Sequence, residues 1–319
     1  MMAFRSGFAC ILGRPNAGKS TLLNALAGEK LAIVSPKPQT TRNRVLGILN
    51  LPKQRTGLGA QVVLIDTPGV HRPESSLGRK MMAEVHEALH GCDLVLLILD
   101  STRRWESDDQ ALLGAMNTAN SPVLLLLNKI DLLRKDKRKL LPLIEQYTKL
   151  REFREVIPIS ARTGEGLDTL LQKLVENLPE GPRYFPEDQI TDQPARFMAA
   201  ELIREQVLLT TREEVPHSVT VLIEQFLEKP KLTHIAAAIY CEREGQKRIL
   251  IGHKGQMLKN IGTAARLEIE KTLGSKVYLE LFVKVRAGWR ESRGFVEELD
   301  WRRQLENLVG GEASREVPE

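Results

Sequence analysis

Apolar residues come along this chain in short blocks separated by polar or glycine-bearing turns. In the first half the blocks are "FACIL", "VLGIL", "QVVLID", "DLVLLILD", "PVLLLLN" and "EVIPIS". All are of strand length, and between most of them apolar residues recur at helical spacing. Such alternation predicts a mostly parallel sheet with helices on both faces. In sheets of this kind the ligand crevice is built by the loops at the carboxyl ends of the strands. From about residue 180 the pattern changes. "LPEGPRYFPEDQITDQPARF", 178–197, is rich in proline and turn residues and reads as a linker laid along a surface. The helical "PARFMAAELIREQVLLT" follows, then the paired strands "HSVTVLIEQFLE" and "LTHIAAAIYCER". Two helical pieces around a glycine turn and a closing strand, "KVYLELFVKVR", complete the order.

Composition narrows the class. With 319 residues, 42% hydrophobic and 27% charged, the chain can bury two cores and has the make-up of a soluble protein. No apolar run approaches the ~18 residues a membrane span needs. The opening "MMAFRSGFACIL" runs straight into a glycine loop and has no small-residue cleavage site, so it reads as a first strand rather than a leader. Cys10, Cys92 and Cys241 are odd in number and lie in apolar contexts, which fits reduced, buried thiols in a cytoplasmic protein. The net charge of +5 is unevenly spread: residues 229–290 hold 13 Lys/Arg against 5 Asp/Glu, and the segments on either side are acidic. That pattern suits a face for an anionic polymer, although a solvated charged surface gives the same counts.

The chemistry is concentrated in the strand-end loops. "GRPNAGKS", Gly13 to Ser20, follows a strand and precedes the helical "TLLNALAG". It matches the phosphate loop G-x-x-x-x-G-K-[ST], in which backbone N–H groups cradle phosphates. Lys19 reaches the β- and γ-phosphates and the Ser20 hydroxyl takes Mg²⁺, with Gly13, Asn16, Ala17, Gly18 and Thr21 completing the cradle. "DTPG" supplies Asp66 for Mg²⁺, usually through water, and the Gly69 N–H for the γ-phosphate. "NKID" supplies Asp131, whose carboxylate can accept from both the ring N–H and the exocyclic amine of guanine, which adenine does not offer. Asn128 can bond the base or brace the phosphate loop, and Lys129 can lie along the base. In "ISA", Ser160 and Ala161 follow a strand and can place a backbone N–H on the guanine carbonyl. Together these choose GTP over ATP. Val70, directly after "DTPG", stands where some GTPases carry a water-orienting glutamine, so slow intrinsic hydrolysis is expected.

Two other motifs need weighing. "HEALH", His86 to His90, matches a zinc-protease pattern, but it lies on the helix after "DTPG" with no third ligand in view, and solvent-facing residues are the expectation. "IGHKG", Ile251 to Gly255, is another matter. It lacks the length, the hydroxyl and the following carboxylate strand of a second nucleotide loop. Gly252 and Gly255 instead let the backbone approach a phosphodiester chain that Lys254 and Lys259 neutralise, beside Ile251 and His253. That is the action of the GXXG loop of a KH domain on about four nucleotides of single-stranded RNA.

On "GRPNAGKS", "DTPG", "NKID" and "SA" the first half resembles the translation-factor class of GTPases, and "PKPQTTRNR", Pro36 to Arg44, is similar to switch I of the Era family within it. The second half also resembles that family, down to "LELFVKVRAGWRE". The resemblance implies a P-loop NTPase-type α/β domain over 1–178, a linker over 179–195, and a smaller α+β type II KH domain over 196–294. A tail over 295–319 departs from the usual family ending, and its end reads as disordered. Within switch I, Thr41 is the first choice for the γ-phosphate and Mg²⁺ ligand and Thr40 the second; spacing does not separate them. GTP/GDP and Mg²⁺ are the implied cofactors. K⁺ is added because related switches with an asparagine at the position of Asn16 use it to hold that ion. The implied function is a monomeric, GTP-hydrolysing switch that binds the 3′ end of small-subunit (16S) rRNA and assists maturation of the small (30S) subunit. It is expected in the cytoplasm, with peripheral association at the inner face of the cell membrane. The rival is a GTPase whose KH-like half docks a protein or membrane surface instead of RNA.

Overall fold

The six strand-length blocks of the first half become six strands of one sheet in a computed structural model that describes residues 4–104, 107–116, 120–133 and 136–306. The elements are β1 (Arg5–Leu12), α1 (Lys19–Ala27), β2 (Val45–Leu51), α2 (Lys53–Thr56), β3 (Ala60–Asp66) and α3 (Ser76–His90). They continue through β4 (Leu94–Asp100), α4 (Ser107–Met116), β5 (Val123–Asn128), α5 (Leu140–Thr148), β6 (Glu155–Pro158) and α6 (Leu167–Asn177). The strand order is β2-β3-β1-β4-β5-β6, parallel except for β2, which runs antiparallel to β3 with Val45 opposite Asp66. Helices cover both faces, which is why the strands are apolar throughout rather than alternating. In β1, Ala9 and Ile11 enter one core layer with Leu22, Leu23, Leu170 and Leu174 of α1 and α6. Cys10 and Leu12 enter the other, with Val85, Leu112 and Leu143 of α3, α4 and α5. All three cysteines are free and buried.

The proline-rich stretch, expected as a linker from 179, packs with this first unit, whose described residues run over 4–72 and 81–193. Its backbone finds partners along the outer strands. The Ile48 N–H donates to Ile190 O (2.9 Å) and Thr191 Oγ1 to Leu46 O (2.8 Å), while Gln61 Oε1 accepts from the N–H groups of Tyr184 and Phe185 (2.7 and 3.0 Å). The stretch thereby covers an edge strand that would otherwise present unpaired groups.

The described residues of the second unit are 73–80 and 194–306. It contains α7 (Ala195–Thr210), β7 (Thr220–Lys229), β8 (Leu232–Cys241), α8 (Glu244–Ile251), α9 (Gln256–Leu273), β9 (Lys276–Val285) and α10 (Arg293–Glu298). β7 pairs antiparallel with β8, with a register shift between Ile223 and Gln225, and β8 pairs parallel with β9. Leu202, Ile203 and Val207 of α7 and Ile261, Ala265 and Ile269 of α9 bury their side chains in the core of this unit. Residues 73–80 join it through the Leu77 N–H on Arg290 O (3.0 Å) and the Lys80–Asp300 ion pair (3.0 Å).

Past residue 294, where the tail is expected to begin, the described residues 295–306 pack on this unit. Ser292 caps α10 by accepting from the Phe295 N–H, and Phe295 is buried against Trp289 and Tyr240. Trp289 donates its indole N–H to Ser218 O (2.8 Å), and Trp301, in the helical stretch 301–306, is buried beside Phe197. Large aromatic side chains in an acidic stretch anchor it to the core. The end read as disordered, residues 307–319, lies outside the described residues. Among the described residues, no helix is long and apolar enough to cross a membrane.

Candidate functional site

The phosphate loop is the turn from β1 into α1. Gly18 caps α1 with a left-handed backbone (φ 103°), and a Cβ there would stand 2.2 Å from Asn128 Nδ2. Only glycine suits both demands. An open pocket of about 470 Å³ is walled by the loop and the first residues of α1, by Ile33 to Ser35, by Pro36 and Gln39 to Thr41 of switch I, and by Gly69, Arg103 and Lys129. Lys19 is buried, with its ammonium on the carbonyls of Gly13 (3.1 Å) and Arg14 (2.9 Å). Gly69 lies so close to the loop that a Cβ would meet Pro15 at 2.7 Å, and the next residue, Val70, donates its N–H to Gly13 O (3.2 Å).

Three oxygens converge beside Lys19. Ser20 Oγ donates to Asp66 Oδ2 (2.6 Å), Thr41 Oγ1 lies 2.8 Å from Ser20 Oγ, and it donates to the same carboxylate oxygen (3.2 Å). Asp66 Oδ1 is buried and, among the described residues, has no hydrogen-bond partner. Two hydroxyls and a carboxylate with an unsatisfied oxygen form a donor set of the hard, oxygen-only kind that suits Mg²⁺. Thr40 does not join them: its hydroxyl closes a turn on Lys37 O (2.7 Å).

Burial controls the charges here. It pushes the Asp66 carboxyl up to about 6 against the opposing effects of Lys19, Ser20 and Thr41. It pushes the Lys19 ammonium down to about 8 against the attraction of Asp66 and Cys10. Binding of Mg²⁺-GTP to the nucleotide-free protein needs Asp66 ionised and Lys19 protonated. Affinity should therefore fall as pH drops through about 6 and again as it rises through about 8. Titrating a fluorescent GTP analogue across this range checks the bell; a flat profile contradicts it.

At the base end, Asn128 braces rather than reads. Its Nδ2 donates to Ala17 O (2.8 Å) and its Oδ1 accepts from the Ala161 N–H (2.9 Å). The Ala161 N–H, one of those in "ISA" that could reach the guanine carbonyl, is thus bonded to the asparagine carboxamide, because that carboxamide spans from the phosphate loop to the turn after β6. Ser160 Oγ holds the Asp131 carboxylate (2.8 Å), with Arg162 at 3.5 Å. Lys129, at a left-handed φ of 66°, places its ammonium on Asn16 O (2.7 Å) and on Asp100 Oδ2 (2.7 Å). Asn16 donates its side-chain amide to Pro36 O (2.9 Å), and Thr21 lies in the pocket wall. The sequence reading missed Asp100, although a carboxylate ending the strand "LVLLILD" is a visible signal. His86 and His90 are exposed on α3, and among the described residues no cluster of His, Cys, Asp and Glu suits a metal.

The glycine-bracketed loop joins α8 to α9. Gly252 (φ 71°) leaves no room for a Cβ, which would meet Met257 Cβ at 2.6 Å, and Gly255 caps α9 with a left-handed φ of 78°. Lys254 takes φ 50° between them. His253, Lys254 and Lys259 are exposed and Ile251 is half-buried. Arg248 and Ile249, on the exposed side of α8, add a cation and an apolar side chain that the sequence reading left out. The loop therefore presents bare backbone, cations and an apolar flank, which suits an extended phosphodiester strand with its bases turned inward.

Residues 8–129 match a family described as 50S ribosome-binding GTPases, and residues 214–290 match the KH domain. The chain is 45% identical to the GTPase Era of Ruminiclostridium cellulolyticum, over 94% of this chain and 99% of that one. It is 48% identical to the GTPase Era of Geobacter metallireducens, over 93% and 98%. Crystal structures of a point variant of Aquifex aeolicus Era bound to GDP·AlF₄⁻, and of Era with MgGDPNP and nucleotides 1506–1542 of 16S ribosomal RNA, superpose with TM-scores of 0.87 and 0.88. Each is 42% identical and covers 93% of this chain and 99% of the other. The chain belongs to the Era family of GTPases, with a P-loop GTPase domain followed by a KH domain.

Proposed function

We propose that this GTPase binds the 3′ end of 16S rRNA through Ile251 to Gly255 and Lys259, under control of the bound nucleotide, and assists maturation of the 30S subunit. The observation that carries the RNA reading is the pair of positive-φ glycines holding the exposed Lys254 on a short turn, with the exposed Lys259 in the first turns of α9. A relative's structure with nucleotides 1506–1542 of 16S rRNA supports the choice of RNA. We place the protein as a monomer in the cytoplasm, with peripheral association at the inner face of the cell membrane.

In the nucleotide site, Gly13, Asn16, Ala17, Gly18 and Thr21 form the phosphate cradle. Asp131 reads the guanine edge, Ser160 orients that carboxylate, and Lys129 lies along the base. Asn128 and Ala161 fix the two loops to each other. Mg²⁺, when bound, neutralises charge developing on the phosphate oxygens. Ser20, Thr41 and Asp66 would hold it, while Lys19 and the Gly69 N–H hold the transferred phosphoryl group. Val70 is buried and aliphatic, so it orients no water and the intrinsic rate is slow. Asn16 is the residue through which K⁺ would enter; equal turnover in sodium and potassium buffers removes that ion from the reading.

The test is the affinity of a labelled oligonucleotide copied from the 3′ end of 16S rRNA, with a non-hydrolysable GTP analogue and with GDP. Lys254→Asp should weaken binding about tenfold or more, through loss of a charge-assisted contact worth roughly 1.5–3 kcal/mol. It should also flatten the salt dependence by about 0.7 of a logarithmic unit per lost contact. The two nucleotide states should differ by about 5- to 150-fold, a coupling of roughly 1–3 kcal/mol. Affinity indifferent to Lys254→Asp and to salt would instead leave a GTPase whose second unit docks a protein or a membrane.

A further inference from the structure

The zinc-like motif on α3 has another occupation. Glu84, one turn before Glu87 and nearly buried (7% exposed), accepts from the Arg44 backbone N–H (3.4 Å) and stands 3.5 Å from Arg44 Nε. Glu87 takes the same guanidinium at 2.7 Å from the exposed side of the helix. Arg44 is the last residue of switch I. On its carboxyl side β2 starts at Val45, paired to Asp66, and three residues before it Thr41 touches Ser20 and Asp66. The segment 41–44 is therefore pinned at both ends, at one by the cluster of oxygens and at the other by two carboxylates of the helix that follows "DTPG".

We propose that Arg44 is a positioning residue for GTP hydrolysis: Glu84 and Glu87 hold it so that the Thr41 hydroxyl is presented to the γ-phosphate and Mg²⁺. This rests on the assignment of Thr41 made above. The buried Glu84 carboxylate carries most of the effect, because a charge removed from water interacts with a partner far more strongly than an exposed one. Glu87, at 64% side-chain exposure, is screened and adds little. The arrangement also makes the helix after Gly69 the holder of switch I, so that the two segments that sense the γ-phosphate order together. GDP makes no use of Thr41, and its binding does not depend on the pin.

The test compares Thr41→Ala, Glu84→Gln, Arg44→Gln and Arg44→Lys in the full chain, reading kcat and KM for GTP and the Kd for GDP. Glu84→Gln and Arg44→Gln should each lower kcat about tenfold or more with the GDP Kd unchanged. The double variant should be no worse than either single one, and neither change should slow Thr41→Ala further. Arg44→Lys, which keeps the charge, should recover part of the rate. Unchanged GDP binding also reports that each variant is folded. If Thr41→Ala is slow but Glu84→Gln and Arg44→Gln turn over at the parent rate, the positioning role is wrong and the Thr41 assignment stands. Glu84→Gln weakening GDP and GTP equally would reduce the pin to a structural contact and overturn the role. Thr41→Ala at the parent rate would overturn the Thr41 assignment and the role with it.

Discussion

Replacing Lys19 with methionine should lower kcat/KM for GTP by about 10²–10³, the usual cost of removing one preorganised donor from a developing anion. Methionine keeps much of the apolar stem and removes the charge. The Gly13 and Arg14 carbonyls that steady the ammonium then face the phosphates with nothing between them. The fold should not suffer. Burial already pushes this ammonium down to about 8, so its charge is a strain on the nucleotide-free protein rather than a support. Thermal unfolding of the nucleotide-free variant should occur at the parent temperature or above it. A variant that melts early, or that keeps its activity to within tenfold, would contradict this account of Lys19.

Asp131→Asn should weaken GTP by about 10²–10⁴, since of two hydrogen bonds to guanine, each worth roughly 1.5–3 kcal/mol when charge-assisted, one is replaced by a repulsive contact and the other loses its charge. The carboxylate is fixed by the Ser160 hydroxyl at 2.8 Å, so an asparagine in the same rotamer turns one acceptor into a donor facing the guanine amine. Xanthine carries a carbonyl where guanine carries that amine, so xanthosine triphosphate should become the preferred ligand. Adenine nucleotides should gain nothing. Competition against a fluorescent GDP measures all three. Retention of GTP affinity to within tenfold would show that Asp131 does not read the base.

Most of the nucleotide site was legible because its chemistry is local. "GRPNAGKS" folds as strand, loop and helix within one stretch of chain, and its glycines answer to contacts that hardly vary with context: Gly18 to Asn128, Gly69 to Pro15. The choice between Thr40 and Thr41 was not legible. Adjacent residues of one type differ only in which way the backbone turns them, and here Lys37 O takes the first hydroxyl. The packing of 179–193 was hidden for a different reason. That stretch has no apolar period, and it is held by backbone and by Gln61, groups that leave no mark on the pattern. Residues 73–80 adjoin the first unit in sequence, whereas their hydrogen bonds lie in the second. The tail does carry a signal that its first part is packed: Phe295 and Trp301 in a charged stretch are costly to expose, and both are buried. Arg44, Glu84 and Glu87 were all in view, but a contact between a segment and a helix forty residues on has no sequence period to reveal it.

The brace at Asn128 makes the four letters of "NKID" unequal in what change can do to them. Its carboxamide donates on one side to Ala17 O and accepts on the other from Ala161 N–H. Aspartate at this position would set an anion against a carbonyl, leucine would leave two buried backbone groups unanswered, and a longer glutamine would press on Gly18, which has no space to yield. The Asp131 carboxylate is held by Ser160 and Arg162, away from Ala17 and Gly18, and can be exchanged with the phosphate cradle intact. A new base preference is thus reachable in this scaffold by single steps at Asp131, whereas drift at Asn128 would dismantle the grip on every nucleotide at once.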